Sequence, residues 1–367
     1  MDVLLNKSVP PLFSPISFRQ LELNNRIMVS PMCQYSSIDG CVSDWHLMHL
    51  GQFSISGAGI MFVEMTNVEE RGRISPHCVG LYSDENEKAL CKVVEFCSKF
   101  GSVPIGVQLA HAGRKASTAP PWQGRHYVPP DQGGWQPAGP SAVAADETAQ
   151  TPDALSESEI TALIEAFASS AKRAQRIGFE AIELHAAHGY LLHQFLSPIS
   201  NLRKDRYGGT LQNRMRFPLS VFESVRDVWP DDKPIGVRIS ATDWVEGGWS
   251  IDDSVEFSKE LKALGCDWID VSSGGISRHQ DITTGAGYQV HLSRAIRERT
   301  AIATIAVGLI TDPKHANSII AKGDADIVAL ARGMLYNPRW PWHAANQLGV
   351  EIGFPNQYLR CKPAQNQ

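Results

Sequence analysis

Eight short apolar runs, each followed by a segment of helical period, constrain this chain more than any other feature of its sequence. The runs lie at 26–32, 60–68, 103–111, 181–189, 234–242, 268–275, 304–310 and 327–333. Each is nearly continuous in apolar residues, the pattern of a parallel strand covered on both faces. The segments between them carry helix start and stop signals. Ser156 with Glu159 forms a capping box, Ile160, Leu163, Ile164, Phe167 and Ala171 share one face, and Gly178 ends the run. Ser250 and Asp253 open a helix that stops at Gly265, and Thr311 with Pro313 opens another before Gly323. Further helices are expected at 44–56, 85–100, 211–228, 291–299 and 338–348, with Pro218 kinking or dividing the third of these. Eight strand-then-helix units in order favour an α/β fold, a single (β/α)8 TIM barrel rather than an open doubly wound sheet, because the count closes.

Two stretches fall outside that rhythm. Residues 1–25 precede the first strand and are expected to cap the barrel floor. Residues 112–156 hold seven prolines and five glycines, and a loop of that length is usually a lid or binding loop, a surface excursion without function being the plain alternative. The expected organisation is one domain over 1–367, with 112–156 inserted after strand 3 and 350–367 as a C-terminal tail.

Charge and cysteine narrow the function classes. Lys and Arg number 34 against 39 Asp and Glu, a net charge of −5, which argues against nucleic-acid or membrane-surface partners. No run approaches the length of a membrane span and no leader pattern opens the chain. The seven cysteines form no C-x-x-C pair and no zinc or iron–sulfur spacing, which fits a reduced, cytoplasmic protein.

In such a barrel the chemistry sits where strands end, so each strand exit counts. Strand 1 ends in Ser30-Pro31-Met32-Cys33-Gln34-Tyr35, a cysteine with a tyrosine two residues on. Strand 2 ends in Glu64-Met65-Thr66. Strand 3 delivers Gln108, an amide suited to a heterocycle with alternating donors and acceptors, followed by His111-Ala112-Gly113-Arg114-Lys115. Strand 4 is the most informative: His185, His188 and Tyr190 leave one strand end together. Two imidazoles there could hold a carbonyl oxygen, and the tyrosine could donate a proton. Strand 5 buries Arg238, which must meet a ligand or a carboxylate such as Asp243. Strands 7 and 8 end in Val307-Gly308-Leu309 and Ala331-Arg332-Gly333, where a barrel commonly binds phosphate. Trp340 and Trp342 beyond them are either pocket ceiling or packing.

Taken in order, these segments resemble the Old Yellow Enzyme family of FMN-dependent reductases. The resemblance runs from R-I-M-V-S-P-M-C at Arg26, through N-L-R-K-D-R-Y-G-G-T-L-Q-N-R-M-R-F at Asn201 to Phe217, to A-L-A-R-G at Ala329. Cys33, the H-x-x-H-x-Y of His185 to Tyr190 and Gln357-Tyr358-Leu359-Arg360 are similar to its bacterial xenobiotic-reductase and thermophilic-like subgroup. The resemblance implies that FMN lies against Ser30, Pro31, Met32, Cys33 and Met65, pairs with Gln108, and has its reduced ring stabilised by Arg238. Gly308, Ala331 and Arg332 would hold its phosphate. It implies further that Cys33 tunes the flavin and that His185 and His188 hold a substrate carbonyl while Tyr35 assists. Tyr190 would be the proton donor, and Arg360 would reach a neighbouring subunit's site in a homodimer or homotetramer. NADPH or NADH would be the reductant and a small enone-type molecule the substrate. Met65, where relatives often carry alanine, and the chain end after Arg360 depart from the pattern.

Two rival classes follow from the same residues. A metal-dependent barrel hydrolase would use His185 and His188 with Asp243 or Asp270. A silent binding barrel would hold flavin loosely or not at all. A dienoyl-CoA reductase-like enzyme would need a cysteine cluster after the barrel, where only Cys361 stands.

Overall fold

The computed structural model describes residues 9–362. Its eight parallel strands close into a barrel in chain order: Ile27–Val29, Ile60–Asn67, Ile105–Ala110, Ala181–Ala186, Ile235–Ser240, Trp268–Ser272, Ala303–Ala306 and Ile327–Leu330. The eighth strand pairs with the first, Ala329 opposite Met28. The expected barrel is therefore present, with every strand inside its apolar run except the seventh, which starts one residue early at Ala303. The surrounding helices bury one face, Phe167, Phe222 and Phe257 among it, in the same core as the strand residues Val63 and Val107.

The helix signals read from the sequence hold locally. Glu157–Ile177 starts on the Ser156–Glu159 capping box and ends at Gly178 with φ +95°. Ile251–Ala263 starts on Ser250 and Asp253. Two expectations need correction. Leu211–Val228 runs unbroken through Pro218, so the proline neither divides the helix nor ends it. The helix Pro313–Ala321 is capped by Asp312, whose carboxylate accepts from the His315 N–H at 2.7 Å, rather than by Thr311. Trp340 and Trp342 are packing residues. The Trp340 indole donates to the Thr311 carbonyl at 2.7 Å and Trp342 lies against Phe354.

The barrel interior changes character from bottom to top. An N-terminal hairpin, Ile16–Phe18 paired with Leu21–Leu23, closes the floor. Phe18 meets Trp268 edge-on at 5.1 Å, and Ile60, Phe62, Ile305 and Ile327 fill the rest. Above them the inward positions become polar: Gln108, Glu183, Arg238 and Asp270, then His185, Ser240 and Ser272. Strand alternation accounts for these inward positions. On the second strand the register jumps between Val63 and Met65, leaving Glu64 as a bulge. The bulge lets Met65 join Cys33, Tyr35 and Tyr190 at the mouth while Glu64 turns to accept from the Gln34 N–H at 3.1 Å.

The floor is packed closely enough to test. A Cβ on Gly236 would overlap the indole of Trp268, itself held by Phe18 and Phe62. Gly236→Ala should cost about 1–3 kcal/mol, read as a lower urea midpoint with an unchanged slope. A variant as stable as wild type would mean that the indole has room to move.

Candidate active site

The mouth of the barrel opens on a cavity of about 490 Å³. Tyr35 and Tyr190 line it, and much of the remaining wall comes from the segment 114–150. That segment is an ordered excursion. It contains short 3-10 turns, a Thr118–Tyr127 bridge and a two-strand pairing of Ala138–Gly139 with Asp153–Ala154.

Strand 4 delivers His185 on its last turn of pleat and then bends sharply. His188 and Gly189 both take left-handed conformations, φ +58° and +71°. Four contacts hold that bend. The His188 N–H donates to Ser240 Oγ at 2.9 Å, and the Gly189 N–H donates to His193 Nδ1 at 2.9 Å. Lys115 Nζ donates to the His188 carbonyl at 2.8 Å, and Gln194 Nε2 donates to the Gly189 carbonyl at 2.7 Å. His193 is itself fixed, with Nε2 2.8 Å from Asp243 Oδ1, both fully buried. The bend brings the Tyr190 ring 5.1 Å from the His185 ring, edge to face.

The two imidazoles are not equivalent. His188 Nε2 lies 2.7 Å from Ser272 Oγ and its Nδ1 lies 3.4 Å from His185 Nε2. His185 Nδ1 is buried without a hydrogen-bond partner among the described residues. Burial, then the charge of Arg238, drives both histidines well below their usual range, so both are neutral near pH 7. Burial raises Tyr190 and Cys33 well above their ordinary values, which leaves a phenol and a thiol rather than anions. Cys33 therefore lacks the low pKa of a nucleophile.

Beneath the mouth runs a belt of charged groups. Arg238 Nε meets Asp270 Oδ2 at 3.1 Å, which corrects the expectation that Asp243 would be its partner. Gln108 Nε2 donates to Glu183 Oε1 at 2.8 Å, the Trp268 side chain also acts on the Glu183 carboxyl, and Asp270 Oδ1 has no hydrogen-bond partner among the described residues. Burial, then Asp270, pushes Glu183 up to about 8, against the pull of Arg238 and Gln108. Burial likewise raises Asp270.

At the strand 7 and 8 exits Gly308 has φ +131°, and a Cβ there would meet Gln289 Nε2 at 3.1 Å and the Tyr288 ring at 3.2 Å. Ala331 precedes the short helix Arg332–Tyr336. Arg332 is exposed and forms no hydrogen bond or ion pair among the described residues, and its charge acts with Arg238 on Tyr288. Arg360 does not join these groups within one chain. It is exposed in the turn Asn356–Cys361 and does not line the cavity. The metal-hydrolase reading finds no support, since no group of three His, Cys, Asp or Glu among the described residues could hold a metal. Its intended acids are engaged elsewhere, Asp243 by His193 and Asp270 by Arg238.

Polar groups that converge at the C-terminal mouth of a TIM barrel, with a cation and a small-residue turn at strands 7 and 8, define a phosphate-cofactor barrel enzyme. The family model of the NADH:flavin oxidoreductase / NADH oxidase family matches residues 11–351, and the chain belongs to that family, the Old Yellow Enzymes. It is an oxidoreductase, and FMN and NAD(P)H are its cofactors. It is 42% identical over 351 residues to the NADPH dehydrogenase of Geobacillus thermodenitrificans, covering 95% of this chain and 98% of that one. The NADPH dehydrogenase of Bacillus subtilis is equally similar, 42% over the same shares. Among solved structures, morphinone reductase superposes with a TM-score of 0.78 at 28% identity over 95% of this chain and 92% of its own. A 2-naphthoyl-CoA reductase shares the fold, with a TM-score of 0.83 at 23% identity over 93% of this chain and 52% of that one.

The residues present fit a flavin mononucleotide. Among the described residues Ser30 Oγ and His185 Nδ1 are buried polar atoms without partners and Arg332 is an unpaired cation whose charge acts on Tyr288, while Gly308, against the same tyrosine, leaves a cradle that a Cβ would crowd. Glu183, Ser272, His193 and Lys115 were not singled out from the sequence. Lys115 follows Arg114 in the quoted strand 3 exit, but nothing in one sequence says that its ammonium returns to strand 4.

The belt predicts a pH dependence. With its folded pKa above the ordinary 4.5, Glu183 contributes fully to stability below about pH 4.5 and loses that contribution as pH rises toward 8. Glu183→Gln should therefore gain stability relative to wild type between about pH 5 and about pH 8 in urea titrations of the FMN-loaded protein. A difference that does not change with pH would mean that Glu183 is ionised in the belt.

Proposed function

We propose that this enzyme reduces the activated C=C bond of α,β-unsaturated carbonyl compounds, with enones, maleimides and quinones as substrates and nitro compounds as further acceptors. The observation that carries the reading is the placement of Tyr190 at the cavity wall, edge-on to a neutral His185 with a free Nδ1. FMN, when bound, supplies the hydride that it takes from NADPH or NADH and that adds at the substrate's β-carbon. Ser30, Pro31, Met32, Cys33 and Met65 border it, Gln108 and Arg238 face its ring, and Gly308, Ala331 and Arg332 hold its phosphate.

The chain's own groups then divide the work. Of the two directions these contacts allow, the one that leaves a proton on His185 Nδ1 serves the chemistry: Ser272 Oγ donates to His188 Nε2, His188 Nδ1 to His185 Nε2, and His185 Nδ1 to the substrate carbonyl oxygen. His185 thus touches the oxygen first, and His188 joins it in its other tautomer, with the proton on Nε2, once Ser272 is released. Tyr35 assists from the cavity wall. As electron density moves to that oxygen, the Tyr190 hydroxyl donates its proton to the α-carbon, and the product leaves with one hydride and one proton added. A neutral imidazole and a high-pKa phenol suit these tasks, because neither spends charge on the ground state.

The reading extends to the assembly and the compartment. Arg360 enters the cavity of a neighbouring subunit in a homodimer or homotetramer, and Tyr358 and Leu359, 42% and 53% exposed beside it, supply apolar surface for that contact. The protein works in the cytoplasm. No helix among the described residues is long and apolar enough to cross a membrane.

Tyr190→Phe should slow reoxidation of the reduced flavin by 2-cyclohexenone by about 10²-fold or more, while stopped-flow reduction by NADPH stays near wild type. Equal loss in both half-reactions would remove Tyr190 as the specific donor. His185→Ala should weaken binding of a phenol, read from the shift it causes in the oxidised flavin spectrum, by about tenfold or more. Unchanged phenol affinity would refute the carbonyl clamp.

A further inference from the structure

The cavity above Tyr35 and Tyr190 carries four cations, Arg114, Lys115, Arg125 and Arg278, against one carboxylate, Asp146. That carboxylate is already taken, since Arg278 pairs with Asp146 at 2.8 Å. The other three have no carboxylate within ion-pair distance among the described residues. Arg114 is buried and donates only to backbone carbonyls, those of Val143, Ala144 and Ile276. Lys115 donates to the carbonyls of His188 and Gly275 and lies over the Tyr190 ring at 5.1 Å. Burial lowers Lys115 to about 8, with the charges of Arg114 and Arg125 lowering it further. Asp243 and Asp146 attract Arg114 only at a distance.

Arg125 differs from the buried pair because it is exposed and its guanidinium makes no hydrogen bond or ion pair among the described residues. It stands at φ +55° directly after Gly124 at φ +92°, in the tight connection that joins the bridged residues Thr118 and Tyr127. Its charge reaches Tyr35, Tyr190 and Lys115. A cavity whose cations exceed its anions, with low-dielectric walls, concentrates anions. Nothing in the reduction of an enone requires this, because a carbonyl carries no net charge.

We propose that this vestibule is an anion subsite, with Arg125 as its free ligand-facing cation, and that it binds a phosphoryl or carboxylate group on a molecule whose reacting end lies at Tyr190. The proposal rests on the reductase reading above and adds the charge class that the site selects. Two molecules in the reaction offer such a group: the phosphates of the dinucleotide reductant and a carboxylate carried by the acceptor.

Arg125→Glu and Arg125→Gln distinguish them, since an exposed residue can change charge without disturbing the core. On the FMN-loaded enzyme, KM is measured for NADPH, NADH and the uncharged 1-benzyl-1,4-dihydronicotinamide, and for N-ethylmaleimide against 3-maleimidopropionate. Arg125→Glu should raise KM for the anions that use the subsite by about fivefold or more, and leave the uncharged pair within about twofold. A rise for NADPH alone assigns the subsite to the extra ribose phosphate, and a rise for NADPH and NADH together assigns it to the pyrophosphate. A rise for 3-maleimidopropionate assigns it to the acceptor. Arg125→Gln should fall between wild type and Arg125→Glu. KM values that do not move for any anion, or that move equally for the uncharged molecules, overturn the proposal. Calorimetric titration with inorganic pyrophosphate at low and high salt separates this from the reductase reading. Binding lost in Arg125→Glu supports the subsite even in a protein that reduces no maleimide, and binding equal in both proteins overturns it.

Discussion

The ion pair of Arg238 with Asp270 sits at the level where the barrel interior turns from apolar to polar, and the organisation above it depends on that pair. Below it are Trp268, Phe62 and the hairpin, which exclude water. A guanidinium placed there alone would be costly, and removing one partner of such a buried pair typically costs about 3–5 kcal/mol. Asp270 compensates it on one side. The remaining positive potential points upward, where it adds to the effect of burial in keeping both histidines neutral. Glu183 leaves that charge uncancelled, because burial keeps its carboxyl in the protonated range near neutral pH.

The second dependence is conformational. Strand 4 could continue straight, and then His188 would point away from His185 by strand alternation. Instead the chain turns through two left-handed residues, of which His188 is one where a side chain is strained. The cost is met by four contacts from three separate elements: Ser240 of strand 5, Lys115 after strand 3, and His193 and Gln194 of the following helix. His193 is held in turn by Asp243 and Asp243 by Ser197. This arrangement explains why Asp243 is unavailable to Arg238 and why an H-x-x-H motif here is not a metal site. The histidines are linked to each other and to Ser272 without any ligand.

Much of this was legible in the sequence, and what was not has a common cause. The eight runs, the capping boxes and the residues Cys33, Gln108, His185, Tyr190, Arg238 and Gly308 could be assigned to strand exits, because local period and local polarity report local structure. Arg238's partner could not be found in the same way. Asp243 is five residues on, whereas Asp270 is the cross-strand neighbour, and only the register of strands 5 and 6 identifies it. Pro218 read as a breaker, yet the tertiary surroundings of the helix override a local preference. The Glu64 bulge that admits Met65 to the mouth leaves no mark in a sequence pattern at all.

The sequence by itself determined the barrel, its strand count, the end at which the chemistry sits and most of the side chains that reach it. These follow from periodicity and from the rule that a buried polar residue must have a purpose or a partner. Only the tertiary structure decided which polar groups bond to each other, which imidazole nitrogen stays free, and how the segment 112–156 surrounds the cavity with uncompensated positive charge. Those outcomes depend on distances between residues far apart in the chain. Such distances are set by the closure of the barrel and the packing of its loops, not by any property of a neighbouring residue.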